Sequence, residues 1–128
     1  MKFLLDTRIA TWALLDHPNL KAEARTILND PGNQFVFSVL SILEIAIKRH
    51  LQRSDFLYDP RVIRRQLIES GYEELPILGQ HVVIVDNLPP IHKDPFDRIL
   101  IAQAMVEGIG LLTADTVMAQ YPGPIRKV

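Results

Sequence analysis

The sequence predicts an α/β fold in which a mainly parallel sheet carries helices on both faces. Three observations lead there. Short runs rich in strand formers, at residues 3–5, 35–39 and 110–113, are apolar almost throughout rather than alternating, as strands buried on both faces are. Stretches of helical spacing separate them, so successive strands need crossover connections that place helices over the sheet. The 128 residues are enough for one domain, residues 1–128, with a single core.

The elements follow in order. Phe3-Leu4-Leu5 reads as a strand ended by Asp6, and residues 7–16 as a helix carrying Ile9, Trp12, Ala13 and Leu14 before the stop at His17-Pro18. Asn19 is placed to cap a second helix over 20–28. Asn29-Asp30-Pro31-Gly32-Asn33 is a turn, and 35–39 the second strand. Ser41 and Glu44 have the spacing of a capping box at the head of a third helix that reaches about His50. A polar connection over 51–60 leads to a basic helix over 61–70, ended by Gly71. Leu75-Pro76-Ile77 predicts a short edge strand, and 80–88 a helix stopped by Pro89-Pro90. The stretch from Asp94 to Gly108, DPFDRILIAQAMVEG, is the centre of the reading: a nearly all-apolar helix wrapped by other elements. Pro95 suits its first turn and keeps Asp94 extended. A strand over 110–113, a short helix over 116–120 and a strand near Ile125 complete the chain.

Composition excludes several classes. Apolar content of 48% and charged content of 23% are ordinary for a globular protein. The chain has no cysteine, which excludes a disulfide scaffold and Cys-ligated zinc and is compatible with a reducing, cytoplasmic setting. The apolar run before Asp6 is only Phe3-Leu4-Leu5, too short for a signal peptide, and no run approaches the ~20 apolar residues of a membrane span. A net charge of −1 argues against strong bulk attraction to nucleic acid. Its distribution is less even. Lys48, Arg49, Arg53, Arg61, Arg64 and Arg65, with His50, face only Asp55 and Asp59 in that segment. This is either a basic face for a partner or a pair of solvated helix faces.

Four acids stand at strand ends or helix starts. Asp6 follows the first strand, Asp115 follows the 110–113 strand, Glu44 lies in the helix after the second strand, and Asp97 heads the central helix. In an open parallel sheet, sites form beyond the carboxyl ends of the strands, so the four can converge. Each also has an ordinary role as a helix cap or capping-box partner, and spacing leaves both readings open. Were they together, like charges would raise each other's pKa until a cation entered. Hard oxygen donors without cysteine select Mg²⁺ or Mn²⁺ over zinc. Such a site activates water and clamps a phosphodiester.

Four blocks carry a resemblance: MKFLLDT at the start, FSVLSILEIAIK over 37–48, HKDPFDRILIAQAMVEG over 92–108, and LLTAD over 111–115. In this order and spacing they resemble the PIN-domain family, and within it the VapC-type toxins of toxin–antitoxin pairs. The resemblance implies a PIN-like three-layer α/β/α sandwich. It implies an Mg²⁺- or Mn²⁺-dependent endoribonuclease with Asp6, Glu44, Asp97 and Asp115 as its acids. Of these, Asp6, Asp97 and Asp115 would be metal ligands, with Thr113 positioning the Asp115 carboxylate or a water and Asp94 structural. It further implies a homodimer and a VapB-like antitoxin whose C-terminal segment covers the site. One departure matters. The family's opening Asp-Thr-Asn is Asp6-Thr7-Arg8 here, which brings a permanent cation beside the first acid. Arg8 is expected to point away along its helix; turned inward, it would partly replace the metal and leave a binding module in an antitoxin–operator complex. Arg61, Arg64 and Arg65 are the candidate contacts to an RNA backbone. A generic Mg²⁺ phosphohydrolase is disfavoured, because no D-x-D-x-T motif follows the first strand.

Overall fold

A computed structural model describes residues 1–54 and 57–128; Asp55, counted above in the charge pattern, lies outside them. The five strands β1 (Lys2–Leu5), β2 (Gln34–Ser38), β3 (Glu73–Leu75), β4 (Gly110–Thr113) and β5 (Ile125–Lys127) form one sheet ordered β3-β2-β1-β4-β5. Every pairing is parallel. The helices are α1 (Thr7–Leu15), α2 (Ala22–Asn29), α3 (Val39–His50), α4 (Pro60–Glu69), α5 (Gly79–Ile84) and α6 (Pro95–Glu107).

Alternation along the strands divides the core in two. Phe3, Leu5, Phe35, Phe37 and Leu112 pack on one face with Ile9 of α1, Ala24 of α2, and Ile63 and Leu67 of α4. Leu4, Val36 and Leu111 pack on the other with Leu100, Ile101 and Ala104 of α6. The apolar runs are therefore continuous because consecutive residues enter different layers. Each buried leucine contributes ~1.5–3 kcal/mol. Phe3 stacks on Phe35 at 6.1 Å, and on its other side it meets Gly110, where a Cβ would come within 2.8 Å of the Phe3 ring. That close approach requires glycine.

Several boundaries differ from expectation. α3 is capped by Ser38, whose side chain accepts from the Leu40 N–H; Ser41 and Glu44 lie inside the helix, so the capping box does not form. α2 starts at Ala22 behind Lys21, with no side-chain cap from Asn19. β3 ends at Leu75, because the proline that follows cannot continue the ladder. The 80–88 helix divides into α5 and a 3-10 turn at Val85–Asn87, and the 116–120 helix is a 3-10 turn at Met118–Gln120. α6 is as expected: Gly108 adopts φ 67° and ends it, and five consecutive residues, Leu100, Ile101, Ala102, Gln103 and Ala104, are buried. Among the described residues, no helix is long and apolar enough to cross a membrane.

The strand order fixes where a site can lie. From β1 the chain steps outward to β2 and β3, then returns to the other side of β1 for β4. The direction of winding reverses between β1 and β4, which opens a crevice beyond their carboxyl ends.

Candidate active site

Asp6 leaves the end of β1 and caps α1, its Oδ1 accepting from the Ile9 N–H at 2.7 Å. Its Oδ2 accepts from the Thr113 hydroxyl at the end of β4, and its N–H donates to the Leu112 carbonyl at 3.1 Å. The two strands are thus joined at the mouth of the crevice. Only 5% of Asp6 is exposed. Burial pushes its carboxyl up to about 6, helped by the charges of Glu44 and Asp115 and opposed by its hydrogen bonds from Thr113 and Ile9. Thr113, expected to position the Asp115 carboxylate or a water, donates its hydroxyl hydrogen to Asp6. The Thr113 oxygen does meet Asp115 as well, by accepting from its backbone N–H at 3.0 Å.

Glu44 enters from α3, buried. Its Oε1 accepts from the Thr7 hydroxyl at 2.7 Å, which also lies 2.9 Å from Ser41 Oγ. Its Oε2 accepts from Lys48 Nζ at 2.6 Å, one helical turn on. Asp115 uses Oδ1 to accept from the Val117 N–H at 2.7 Å, leaving Oδ2 toward the crevice, 3.5 Å from His92 Nε2.

Asp94 and Asp97 divide the roles foreseen for the head of α6. Asp94 is the N-cap, accepting from the Phe96 N–H at 2.9 Å, which is structural as expected. Asp97, in the first turn, faces the crevice with Oδ2 2.8 Å from His92 Nε2. Burial, followed by the charges of Asp94 and Glu44, pushes Asp97 to about 7, and His92 opposes the rise. A helix N-terminus favours anions, yet here the neighbouring carboxylates outweigh it.

One cavity of about 330 Å³ is lined by Asp6, Glu44, Asp97 and Asp115 together, with Asp94 beside them. The sequence-predicted acids therefore meet. Arg8, expected to point away, contributes to this wall. Arg61, Arg64 and Arg65 are not among its lining residues. They lie on α4, where Arg64 forks onto Glu74 at 2.5 and 3.0 Å, Arg65 stands 3.9 Å from Glu69 and Arg61 3.9 Å from Asp59.

Sequence reasoning missed His92, Lys48 and Thr7. Lys48 was readable, four residues beyond Glu44 on one helix face. Thr7 was hidden as the ordinary first residue of a helix. His92 sits on an aperiodic segment, where spacing gives no signal. Its Nδ1 accepts from the Asp94 N–H at 3.3 Å, so the proton of its neutral form lies on Nε2. The segment is held by Arg98, whose guanidinium donates to the carbonyls of Val85 at 3.1 Å and Pro89 at 3.0 Å and to the Tyr121 hydroxyl at 3.1 Å. Tyr121 in turn accepts from the His92 N–H at 2.6 Å.

The donor set fits a hard divalent cation. His92 Nε2 is buried and lacks an aligned hydrogen-bond partner, despite its proximity to Asp97. Ligand atoms of His92, Asp97 and Asp115 lie within 4.8 Å of one another. Carboxylates that are hard to ionise together are what a Mg²⁺ or Mn²⁺ ion relieves.

The fold and crevice define an α/β protein with an acid-lined site at the switch point of a parallel sheet. The chain belongs to the PIN domain family, which it matches over residues 3–124. Its fold is similar to that of three solved toxin–antitoxin assemblies. One is VapBC2 from Rickettsia felis bound to a DNA fragment from their promoter, at 15% identity and a TM-score of 0.72, covering 100% of this chain and 99% of that one. DNA-bound VapBC from Salmonella typhimurium is 18% identical with a TM-score of 0.66, covering 99% and 98%. A toxin–antitoxin complex from Klebsiella pneumoniae is 17% identical with a TM-score of 0.64, covering 98% of each chain. No curated protein sequence matches the chain.

Proposed function

We propose that this PIN domain, spanning residues 1–128 as one unit, is a Mg²⁺- or Mn²⁺-dependent endoribonuclease and the toxin of a VapBC-type pair in the cytoplasm. The observation that carries the reading is the convergence of Asp6, Glu44, Asp97 and Asp115 on one cavity. Two of these carboxyls are raised toward neutrality by burial and mutual charge, which is a mark of functional sites.

Asp6, Asp97 and Asp115 would hold the cation. When bound, it would lower the pKa of a water and offset charge on the phosphodiester. The protein's own groups supply the setting. Thr113 and the Ile9 N–H fix the Asp6 carboxylate. His92 Nε2 stands close to both Asp97 and Asp115. Glu44, bonded to Thr7 and Lys48, is placed to accept a proton from the attacking water, and Lys48 offers a cation to a phosphate at the rim. Hydrolysis by water is expected to leave 5′-phosphate and 3′-hydroxyl ends.

A VapB-like antitoxin is the proposed partner, supported by neighbours solved as toxin–antitoxin complexes. Homodimerisation is supported by exposed Leu43, Ile47 and Leu51, which repeat every four residues along α3 and its end. Ile45, on the same helix, is 1% exposed and belongs to the core. A second reading, a weakened PIN domain that binds within an antitoxin–operator complex, is favoured by Arg8 in the crevice wall and by neighbours bound to DNA. The two separate on Mn²⁺-dependent cleavage of single-stranded RNA by wild type and Asp97→Asn. Cleavage abolished in a folded variant supports the nuclease. No cleavage and no calorimetric Mn²⁺ binding by wild type would leave the module.

A further inference from the structure

A second cavity, also of about 330 Å³, opens beside the acidic one and is lined by Arg8, Trp12, His17, Asn19, Ser54, Leu57 and Tyr58. The two cavities share two walls, Arg8 and Trp12. These residues are four apart on α1 and so lie on one helix face, one turn above the other. The helix that starts at Asp6 thus carries a cation and then an indole directly away from the acids.

The chemistry of this second cavity is different. Trp12 and Tyr58 are half-buried and both line this cavity. Trp12 already stacks on the imidazole of His17, with ring centroids 5.6 Å apart and planes 20° from parallel. The indole therefore accepts a flat nitrogen heterocycle in this setting. A base entering the cavity would extend that stack or replace the imidazole in it.

We infer that the Trp12–Tyr58 cavity is a nucleobase subsite, which takes an unpaired base of single-stranded RNA while the adjoining phosphodiester lies over the acids. The inference rests on the ribonuclease reading and adds the part of the substrate that is recognised. It also answers a difficulty in that reading. A chain of net charge −1 with four acids in its site has little general attraction for RNA, so local cations need support from contacts that do not depend on charge. Aromatic stacking supplies such contacts and tolerates any base, because every base has a π-face. Arg8, at the junction, is placed to meet the phosphate between the two cavities. Its replacement of the family Asn then adds a contact to the substrate as well as a charge beside the acids.

The test uses a feature of the chain itself: Trp12 is its one tryptophan, so tryptophan emission reports on the wall the two cavities share, and a strand without bases separates stacking from phosphate binding. The wild-type protein, in EDTA to prevent cleavage, is titrated with a mixed-sequence single-stranded oligoribonucleotide carrying a fluorescent end label. Anisotropy of the label gives total binding, and tryptophan emission gives occupancy at Trp12. Emission is expected to quench along the same isotherm as the anisotropy, while an abasic ribose-phosphate strand of equal length leaves emission unchanged. Trp12→Ala is expected to weaken binding ~10–100-fold, and Trp12→Phe, which keeps a ring, to recover most of it. RNA binding with unchanged emission would overturn the subsite and leave the nuclease reading standing, as would equal affinity of Trp12→Ala. Absence of RNA binding by anisotropy would overturn both. Quenching by an antitoxin C-terminal peptide but not by RNA would assign the cavity to protein docking. Emission that changes with protein concentration alone would assign it to a second copy. Either result overturns the inference without needing any variant to fold.

Discussion

Asp97→Asn keeps the shape of the side chain and removes its charge, which isolates the electrostatic cost of the acid cluster. Burial, then Asp94 and Glu44, raise Asp97 from the ordinary 3.8 to about 7. An acid with a higher pKa when folded binds its proton more tightly in the folded state. Its stabilising effect is then fully present below about pH 4 and is lost as pH rises to about 7. At ~1.4 kcal/mol per pKa unit, the interval sets a ceiling of about 4 kcal/mol on what ionised Asp97 costs in metal-free protein. For a domain of this size, ~1 kcal/mol moves Tm by roughly 3–5 °C. In EDTA, Asp97→Asn is therefore expected to melt several degrees above wild type at pH 8 and level with it at pH 4. Saturating Mn²⁺ should close much of that gap at pH 8, since ligand at ~100 times its Kd adds about 2.7 kcal/mol to the protein that binds it. Thermal unfolding followed by circular dichroism at pH 4, 6 and 8, with EDTA or Mn²⁺, makes the comparison. A variant less stable than wild type by the same amount at every pH would show that Asp97 serves the fold, and the cluster argument would fail.

Other outcomes follow from the same geometry. Arg8→Asn is expected to tighten calorimetric Mn²⁺ binding about tenfold, since a charge in the crevice wall weakened by only ~1.4 kcal/mol has that effect; identical titrations would show that its charge does not reach the acids. Arg61, Arg64 and Arg65 replaced together by Ala should weaken RNA binding and flatten its salt dependence, with part of the effect offset because Arg64 must first leave Glu74. An unchanged slope would return α4 to solvated surface. Leu43→Glu with Ile47→Glu should convert a dimer at tens of micromolar (roughly where a micromolar Kd is already saturated) into a monomer by sedimentation. A wild type that is itself monomeric there would exclude this interface.

How far the sequence could be read depended on which interactions are local. The strands were legible because burial on both faces leaves an unbroken apolar run, and α6 because its stop glycine and its proline lie within its own span. The acids were legible as a set only through family resemblance, since the spacing of each also suits a cap; Asp6 does cap α1 while facing the crevice, and Asp115 likewise spends one oxygen on a backbone N–H. The capping box at Ser41 was misread because the same spacing serves a different purpose. Ser41 and Glu44 turn toward Thr7, thirty-four and thirty-seven positions away, and no local rule anticipates that. His92 was invisible for a related reason, since its place is set by Arg98 and Tyr121 rather than by its neighbours in sequence.

The bond from Thr113 to Asp6 spans 107 positions, and it has a consequence in time. Synthesis delivers Asp6 first, then Glu44 and Asp97, and β4 with Asp115 after all three. Because β4 inserts beside β1, the first strand made waits beside an empty place until the fourth arrives. A nascent chain on the ribosome therefore holds an incomplete set of acids for most of its elongation. The cavity that the four acids line is, in this topology, assembled only after the last of them has been made.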